Sequence, residues 1–356
     1  MPSIEIVESG RIDERDSAFP LAVQLPGGDV LCSFSVGGGA NVTGGSDWAR
    51  SVDGGRTWQN EGTLLPFDTD NQMANFLKLT LGADGETIYA YGSTLAARSG
   101  EKFGHRRAEA IFCTSRDGGR NWSEPRNVPM PVECPLEVSH GMLPLASGRL
   151  LAPAATLPDD KRLGEQVIVA ISDDGGETWP EHGVVFHDPD GRLGFFEQKL
   201  AQLAPGRLMA TAWTVTLGDY VDQTNSFCIS LDDGATWSPA QSTGIQGQTL
   251  TPVPLGGDRL LVLYNRRYGD QGIVMALVTF TDESWTVHNE RLLYDAKSHH
   301  QRSEKIESGI DELDGFQFGF PTAIPLIDGT FLSTHWSVER GTCGIRWTRL
   351  RIAWPQ

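Results

Sequence analysis

One pattern of eight residues occurs four times in this chain, and it constrains the fold more than any other feature. It reads Ser-x-Asp-Gly-Gly-x-Thr-Trp with small variations, and its copies begin at Ser51, Ser115, Ser172 and Ser230. The intervals between copies are therefore 64, 57 and 58 residues. A regular period of this length is typical of folds in which similar units bury their faces against each other.

The residue types in this pattern predict a tight turn at the end of a strand. The Asp carboxylate can accept backbone N–H groups, the Gly can adopt a positive φ, and the Ser can bond across the turn. We expect the Trp to fold back as an apolar plug for the next sheet.

A second repeat occurs six times. Each copy has an alternating apolar run, a short turn with Gly and another apolar run, which predicts two strands joined by a hairpin. The turn glycines are Gly28, Gly85, Gly148, Gly206, Gly257 and Gly329. We interpret the hairpins as the inner strands of six four-stranded blades, so the chain is predicted to be all-β, a single six-bladed β-propeller over residues 1–356. The N-terminal SIEIV is expected to close the last blade, which is too short to supply its own fourth strand.

The charge balance narrows the choice of partners. The net charge is −17, from 29 basic and 46 acidic residues, without a run of Lys and Arg. Because a field of this sign repels nucleic acid and anionic lipid, we expect neither nucleic acid nor a membrane as a partner. A local group of arginines can still hold a small anion. Apolar runs long enough for a membrane span are also missing from the sequence.

The N-terminus, the cysteines and the binding motifs indicate the compartment and the need for cofactors. The N-terminus has neither a basic region nor an apolar stretch, so a signal peptide is not expected. Five widely spaced cysteines without a C-x-x-C pair indicate reduced thiols, and both features favour a cytoplasmic location. We find no phosphate-binding or dinucleotide-binding motif and no metal motif, since adjacent residues such as His299 and His300 diverge on a strand. We therefore predict no cofactor and no metal.

The turn motifs and hairpins resemble the Asp-boxes (BNR repeats) of the sialidase, or neuraminidase, superfamily, and the resemblance covers essentially the whole chain. Three stretches look closer to its "predicted neuraminidase" branch than to proven sialidases: EQKLAQLAPGRLMATAW, LVLYNRRYGDQGIVMAL and FGFPTAIPLIDGTFLSTHW. The resemblance implies a six-bladed propeller with its site on the central axis. It implies less about activity, because Asp-boxes lie on the rim, away from that site.

Several positions match the sialidase site. The family holds the substrate carboxylate with three arginines and uses an Asp acid/base and a Tyr nucleophile activated by Glu. Asp47 lies about where the resemblance places the Asp, and Glu197 lies where it places the Glu. Arg267 or Arg266 can be the third arginine.

Other positions depart from the family. Residues 18–20 read Ala-Phe-Pro where the family has Arg-Ile-Pro, Trp213 replaces the second arginine, and Phe320 replaces the Tyr. The resemblance therefore implies the scaffold, whereas conventional hydrolysis of sialic acid is in doubt.

Polar residues near the axis, where inner strands begin, are the candidate site residues. Glu197 follows two Phe residues, and partial desolvation would raise its pKa toward general acid/base work; the alternative is a rim Glu paired with Lys199. His140 begins the inner strand of blade three and is a candidate proton shuttle, the alternative being a hydrogen-bonded structural His. Asp47 lies in a Gly-rich loop, which can cover a ligand or serve only as a turn.

One of Arg266 and Arg267, beside Tyr268, is expected to clamp a carboxylate; the alternative is an inter-blade salt bridge. Weaker candidates for contacts with sugar are Arg106, Arg107, His335, Gln72, Asn75, Gln248 and Gln317. An insertion before the last hairpin carries His299, His300 and Arg302, which can reach the pocket.

These residues favour a carbohydrate-active enzyme that cleaves a glycosidic bond of an acidic or polar sugar. Glu197 and Asp47 would act as acid and base, and Arg267 would hold an anionic group. A uronate lyase is one alternative, with Arg neutralising the uronate and His140 abstracting the α-proton. A non-catalytic propeller that binds glycan or protein is another. An enzyme should bring two titratable groups and an arginine into one pocket, whereas a binding module should present aromatic platforms.

Overall fold

A computed structural model describes residues 1–96, 106–296 and 316–355. Six antiparallel sheets follow one another along the chain, and the inner strands of successive sheets contact each other in a closed ring. This arrangement is a six-bladed β-propeller, which confirms the predicted fold class. Within the described ranges, no helix has the length and apolar character needed to cross a membrane.

The strands are numbered in chain order. Within each of blades one to five, the first strand lies next to the axis and the later strands follow outward. The N-terminal strand is β1 (Ser3–Asp13). Blade one contains β2 (Ser17–Gln24), β3 (Val30–Val36), β4 (Gly45–Ser51) and β5 (Gln59–Leu65). Blade two contains β6 (Met73–Leu81), β7 (Ile88–Ala96), β8 (Ala108–Ser115) and β9 (Arg126–Asn127). Blade three contains β10 (Leu136–Glu137), β11 (Leu143–Pro144), β12 (Leu150–Thr156), β13 (Gln166–Ser172) and β14 (Glu181–His187).

The remaining three blades follow the same plan. Blade four contains β15 (Leu193–Ala204), β16 (Arg207–Thr216), β17 (Ser226–Ser230) and β18 (Gln241–Ser242). Blade five contains β19 (Gln248–Gly256), β20 (Arg259–Arg266), β21 (Gly272–Phe280) and β22 (Trp285–Asp295). Blade six contains β23 (Phe318–Pro325), β24 (Phe331–Glu339) and β25 (Thr342–Ala353).

The two ends of the chain meet in the last blade. Strand β1 pairs antiparallel with β25, from Ser3 opposite Ala353 to Asp13 opposite Ile345. Blade six therefore has the order β23-β24-β25-β1 and takes its outermost strand from the N-terminus. This pairing ties the segment that leads into blade one to the last blade and covers the edge of β25.

The turn motifs close the third strands of blades one to four, with the bonding that their residue types predict. Asp53 accepts the backbone N–H groups of Arg56 (3.0 Å) and Thr57 (2.9 Å) and the hydroxyl of Ser51 (2.7 Å). The Ser51 hydroxyl in turn accepts the N–H of Gly55 at 2.7 Å. Asp and Ser side chains thus bond the turn from within, and Arg349 of blade six adds a bond from outside by donating to the carbonyl of Gly54.

The motif tryptophans pack against the preceding blade, so the expectation of a plug for the next sheet was wrong. Trp179 of blade three meets Phe112 of blade two edge-on, with 5.9 Å between ring centroids. Trp285 also packs against the preceding blade, with its ring tilted on Phe227 of blade four at 5.4 Å, although blade five has no complete Asp-box.

The inner strands deviate from regular pairing next to the axis. Pairing shifts in four of them beside residues with left-handed backbone: Phe19 (φ 55°), Glu197 (φ 47°), Thr249 (φ 59°) and Phe320 (φ 52°). Strand β6 pairs with β7 without a shift, whereas the inner strand of blade three is interrupted between Glu137 and Leu143. Positive φ at residues other than Gly costs about 1 kcal/mol or more and clusters at functional sites, which directs attention to the axis.

Candidate functional site

Two glutamates from neighbouring blades meet beside the axis. Glu137 ends β10, and its Oε2 accepts the backbone N–H of Glu197 at 3.2 Å. The bulge in β15 turns this N–H toward blade three, because it places Glu197 in the left-handed region. Oε2 of Glu197 is buried and has no hydrogen-bond partner among the described residues.

The surroundings favour the protonated form of Glu137. Burial and the nearby charge of Glu197 raise its pKa to about 7, against the lowering effect of Lys199. Near neutral pH Glu137 can therefore still carry its proton. A carboxylic acid that keeps its proton at this pH, beside a second carboxyl group, is suited to general acid/base chemistry.

Two lysines complete the cluster from blades two and four. Lys78 and Lys199 are fully buried, and their Nζ atoms donate to the carbonyl oxygens of Val138 (2.6 Å) and Ser139. Burial lowers the pKa of Lys199 to about 8, against the raising effect of Glu197 and Glu137. Burial and the charge of Lys199 also lower the pKa of Lys78 well below its usual value.

Aromatic rings cover the lysines. The Nζ of Lys78 lies 3.6 Å from the ring centroid of Phe76, and the Nζ of Lys199 lies 4.0 Å from that of Phe320. Phe19 joins both rings, at 5.4 Å from Phe76 and 5.6 Å from Phe320. These contacts stabilise the ammonium groups by cation–π attraction.

His140 lies in the interruption of the blade three strand. Burial, together with the positive charges of Lys199 and Lys78, lowers its pKa to about 3. The imidazole is therefore neutral at neutral pH. Its buried Nδ1 has no hydrogen-bond partner in the part of the chain that the structure describes.

A second polar network joins blade five to blade four. Arg267 Nη1 donates to Gln248 Oε1 (2.7 Å), and Gln248 Nε2 donates to Asp222 Oδ2 (2.9 Å). Asp222 Oδ1 also accepts the indole N–H of Trp213 at 2.7 Å. Trp213 packs on Phe196, the neighbour of Glu197, with 5.7 Å between ring centroids. The network therefore ends beside the carboxylate pair.

Arg267 is engaged within the protein rather than presented on its own to solvent. Its guanidinium lies 3.5 Å from the ring centroid of Phe316, and Nη2 donates to the carbonyl of Phe318. Arg266 donates to the carbonyl of Asp270 at 2.7 Å, and Tyr268 is half-buried beside them. The clamp predicted for this pair would have to share its donors with these partners.

Asp47 belongs to a different cluster. It lies on β4, the third strand of blade one, and accepts Arg15 Nη1 at 2.9 Å. Arg15 also bonds Asp13 at 2.7 Å, at the end of the strand that closes blade six. The described contacts join Glu197 to Glu137 and Asp47 to Arg15. The ion pair with Arg15 shows that Asp47 does more than form a turn.

The weaker candidates are dispersed. Arg107 is exposed and paired with Glu109, while Arg106 donates to the carbonyl of Ala96 at 2.7 Å. His335 is buried near Tyr294, 5.5 Å between ring centroids, and burial lowers its pKa to about 3. Gln72 is exposed, Asn75 is buried and bonded to Ser46, and Gln317 is half-buried. His299, His300 and Arg302 lie outside the described residues.

Lys78 and the partnership of Glu137 were missed by the sequence reasoning, and Lys199 entered it only as a partner for a rim Glu197. A usable signal was present, because FLKLTL and EQKLAQL each place a Lys inside the apolar alternation of an inner strand. A charge at such a position is expensive unless it is paired, which marks it as a functional or structural site. Among the described residues, no group of three or more His, Cys, Asp or Glu could hold a metal ion.

Comparisons with known proteins agree with this architecture. The family model for the BNR repeat-like domain matches residues 80–331. A sialidase of Bacteroides fragilis is 25% identical over 221 residues, which are 55% of this chain and 37% of that protein, so the chain spans well under half of this curated relative.

Solved structures share the fold at lower identity. A Dyadobacter fermentans protein of unknown function has a TM-score of 0.77 and 21% identity, covering 99% of this chain and 100% of that one. The Hadza microbial sialidase Hz136 has a TM-score of 0.66 and 18% identity, covering 94% and 66%. A Penicillium chrysogenum alpha-L-arabinanase, complexed with arabinobiose, has a TM-score of 0.66 and 15% identity, covering 97% and 98%.

Proposed function

The chain belongs to the BNR repeat-like domain family, and from this premise we propose that it is a glycoside hydrolase that cleaves a bond of a polar or acidic sugar at the propeller axis. The fold relates it to sialidases and to arabinanases and arabinofuranosidases. These relatives act on different sugars, so the site has to indicate the chemistry.

The carboxylate pair is the observation that carries this proposal. Glycosidases of the common type use one carboxylic acid to protonate the leaving oxygen and one carboxylate to attack the sugar or activate water. Glu137, with a pKa of about 7, is suited to the acid role near neutral pH. Glu197 lies beside it and is suited to the carboxylate role.

The substrate is expected to differ from that of a conventional sialidase. By the sequence resemblance, Phe320 takes the position of the nucleophilic Tyr, and its ring covers Lys199 instead of presenting a hydroxyl. By the same resemblance, Trp213 takes the position of the second arginine, and it is bonded to Asp222. Arg267 shares its donors with Gln248, so any anionic group on the sugar would have to join that network.

The uronate-lyase alternative receives less support. It needs His140 as the base that removes an α-proton, but a group with a pKa of about 3 is a weak base at neutral pH. A non-catalytic propeller remains an outcome of the following test.

The test is hydrolysis of a panel of aryl glycosides that includes sialic acid, glucuronic acid and arabinofuranose. Glu197→Gln and Glu137→Gln are each expected to lower kcat/KM about 1,000-fold, because each removes one member of the pair. Wild-type activity should fall as the pH rises above about 7, where Glu137 loses its proton. The exposed Glu86→Gln is the matched control and should behave as wild type. Full turnover by Glu197→Gln, or binding of sugars without turnover by the wild type, would contradict the proposal.

A further inference from the structure

The interruption in blade three is completed by groups from outside its own sheet. The inner strand pairs with β12 through Leu136 and Glu137, and again through Leu143 and Pro144, but not between them. The hydroxyl of Tyr91 donates to the carbonyl of Pro153 on β12 at 3.0 Å, beside this gap. Buried carbonyl groups that lose their ladder partners need such replacements.

The two buried lysines likewise donate hydrogen bonds to carbonyl groups of the interrupted strand itself. Lys78 reaches Val138 from blade two and Lys199 reaches Ser139 from blade four, so the two ammonium groups hold adjacent carbonyls from opposite sides. Both carbonyls lie between Glu137 and His140 in the chain. Complete burial of a lysine is costly in free energy. An uncharged residue can bond a carbonyl of a neighbouring blade without this cost, as Thr251 does when it donates to the carbonyl of Pro321 at 2.7 Å.

We propose that Lys78 and Lys199 are positioning residues of the axial site. They hold the interrupted strand of blade three so that Glu137 and His140 stand beside Glu197, and the positive charge that they carry counters the negative charge of the glutamates. This inference rests on the proposed function only for its consequence in catalysis. The arrangement itself can be tested without turnover.

The charges in the cluster give the direction of the effect. Glu137, Glu197, Lys78 and Lys199 are the titratable groups that face one another here, and His140 is neutral at neutral pH. Removing either lysine takes away an effect that lowers the pKa of Glu137. That pKa should therefore rise.

The experiment uses the full chain with 13C-labelled glutamate and 15N-labelled backbone. The Glu137 carboxyl signal, assigned by its loss in Glu137→Gln, reports the pKa, and the Glu197 amide proton reports the hydrogen bond to Glu137. In Lys199→Met the pKa of Glu137 should rise by at least one unit, a tenfold gain in proton affinity, and the Glu197 amide signal should shift. Lys78→Met should cause a smaller rise. The exposed Lys161→Met is the control and should change neither signal.

Rescue separates charge from shape. Lys199→Arg keeps the positive charge and should return the pKa of Glu137 toward the wild-type value, which loss of packing alone would not explain. An unchanged pKa and an unchanged Glu197 amide in folded Lys199→Met and Lys78→Met would overturn the proposal. Failure of both Met variants to fold would also overturn it, since the lysines would then hold the whole propeller together rather than position the site.

The outcomes also distinguish this inference from the proposed function. If no glycoside is cleaved but the pKa of Glu137 responds to Lys199→Met, the positioning role stands and the hydrolase proposal fails. If glycosides are cleaved and the pKa does not respond, the reverse holds. Where both hold, Lys199→Met should move the alkaline limb of the pH–rate profile to higher pH by the shift measured for Glu137.

Discussion

The rim and the axis of this propeller place acidic side chains in opposite surroundings. At the rim, slight burial works against ionisation of Asp53, but hydrogen bonds from Thr57, Ser51 and Arg56 hold its pKa well below the usual value. At the axis, burial beside Glu197 raises the pKa of Glu137 to about 7. The repeated turns thus stabilise the scaffold with hydrogen-bonded carboxylates. The interrupted strand at the axis instead holds a carboxyl group with a strongly shifted pKa, which is typical of sites for chemistry.

Removal of a rim tryptophan should have the largest effect on stability. Trp179 is 7% exposed and packs between blades two and three, so Trp179→Ala should lower the free energy of unfolding by about 3–5 kcal/mol through the cavity it leaves. Urea unfolding followed by circular dichroism measures the loss. Trp285→Ala, at a half-buried position in the blade without a complete Asp-box, should lose less. Equal losses would show that the Asp-box context adds nothing to the packing.

Glu137 at the axis should make the free energy of unfolding depend on pH. Between pH 4.5 and about 7 the folded protein keeps a proton on Glu137 that the unfolded chain has released. The free energy of unfolding should therefore fall as the pH rises through this range, by about 3 kcal/mol in total, and the slope should flatten in Glu137→Gln. Urea unfolding of both proteins at several pH values measures the difference. Identical slopes would remove Glu137 as the cause.

Asp53 at the rim should contribute stability that increases with pH, opposite to Glu137, and its contribution should be smaller. Asp53→Ala removes bonds to Ser51, Arg56 and Thr57 and should cost roughly 1–2 kcal/mol at pH 7. Because the pKa of Asp53 is lowered in the folded state, its contribution is present above the unfolded pKa and is lost as the pH falls. The gap to wild type should therefore narrow in acid. The exposed Asp70→Ala is the control, and a gap that is constant with pH would contradict a role for the ionised carboxylate.

The fold was accessible from the sequence because its determinants are local and repeated. A Gly turn between alternating apolar runs specifies a hairpin wherever it occurs, and six copies specify the number of blades. The direction in which Trp179 packs was not accessible in the same way, because either neighbouring blade offers it an apolar face. Only the assembled ring shows that it meets Phe112 of the preceding blade.

The site was only partly accessible because its contacts join blades that are distant in the sequence. Glu197 and His140 were predicted near the axis from the start of their strands. Their grouping with Glu137 and Lys78 depends on the interruption of one inner strand, which a hairpin pattern does not reveal. Asp47 was predicted as a site residue from the family resemblance. Its ion pair with Arg15 could not be predicted, because Arg15 is positioned by the pairing of the N-terminal strand with the last blade.

A crystal structure of Glu197→Gln with a bound glycoside tests the central claim most directly. The variant keeps the shape of the site and should slow cleavage enough to trap the intact sugar. The prediction is a sugar at the axis, with its glycosidic oxygen within hydrogen-bond distance of the Glu137 carboxyl and its ring next to residue 197. A sugar bound at the rim, or at the axis with both side chains out of reach of the glycosidic bond, would contradict the assignment of Glu137 and Glu197 as the reacting pair.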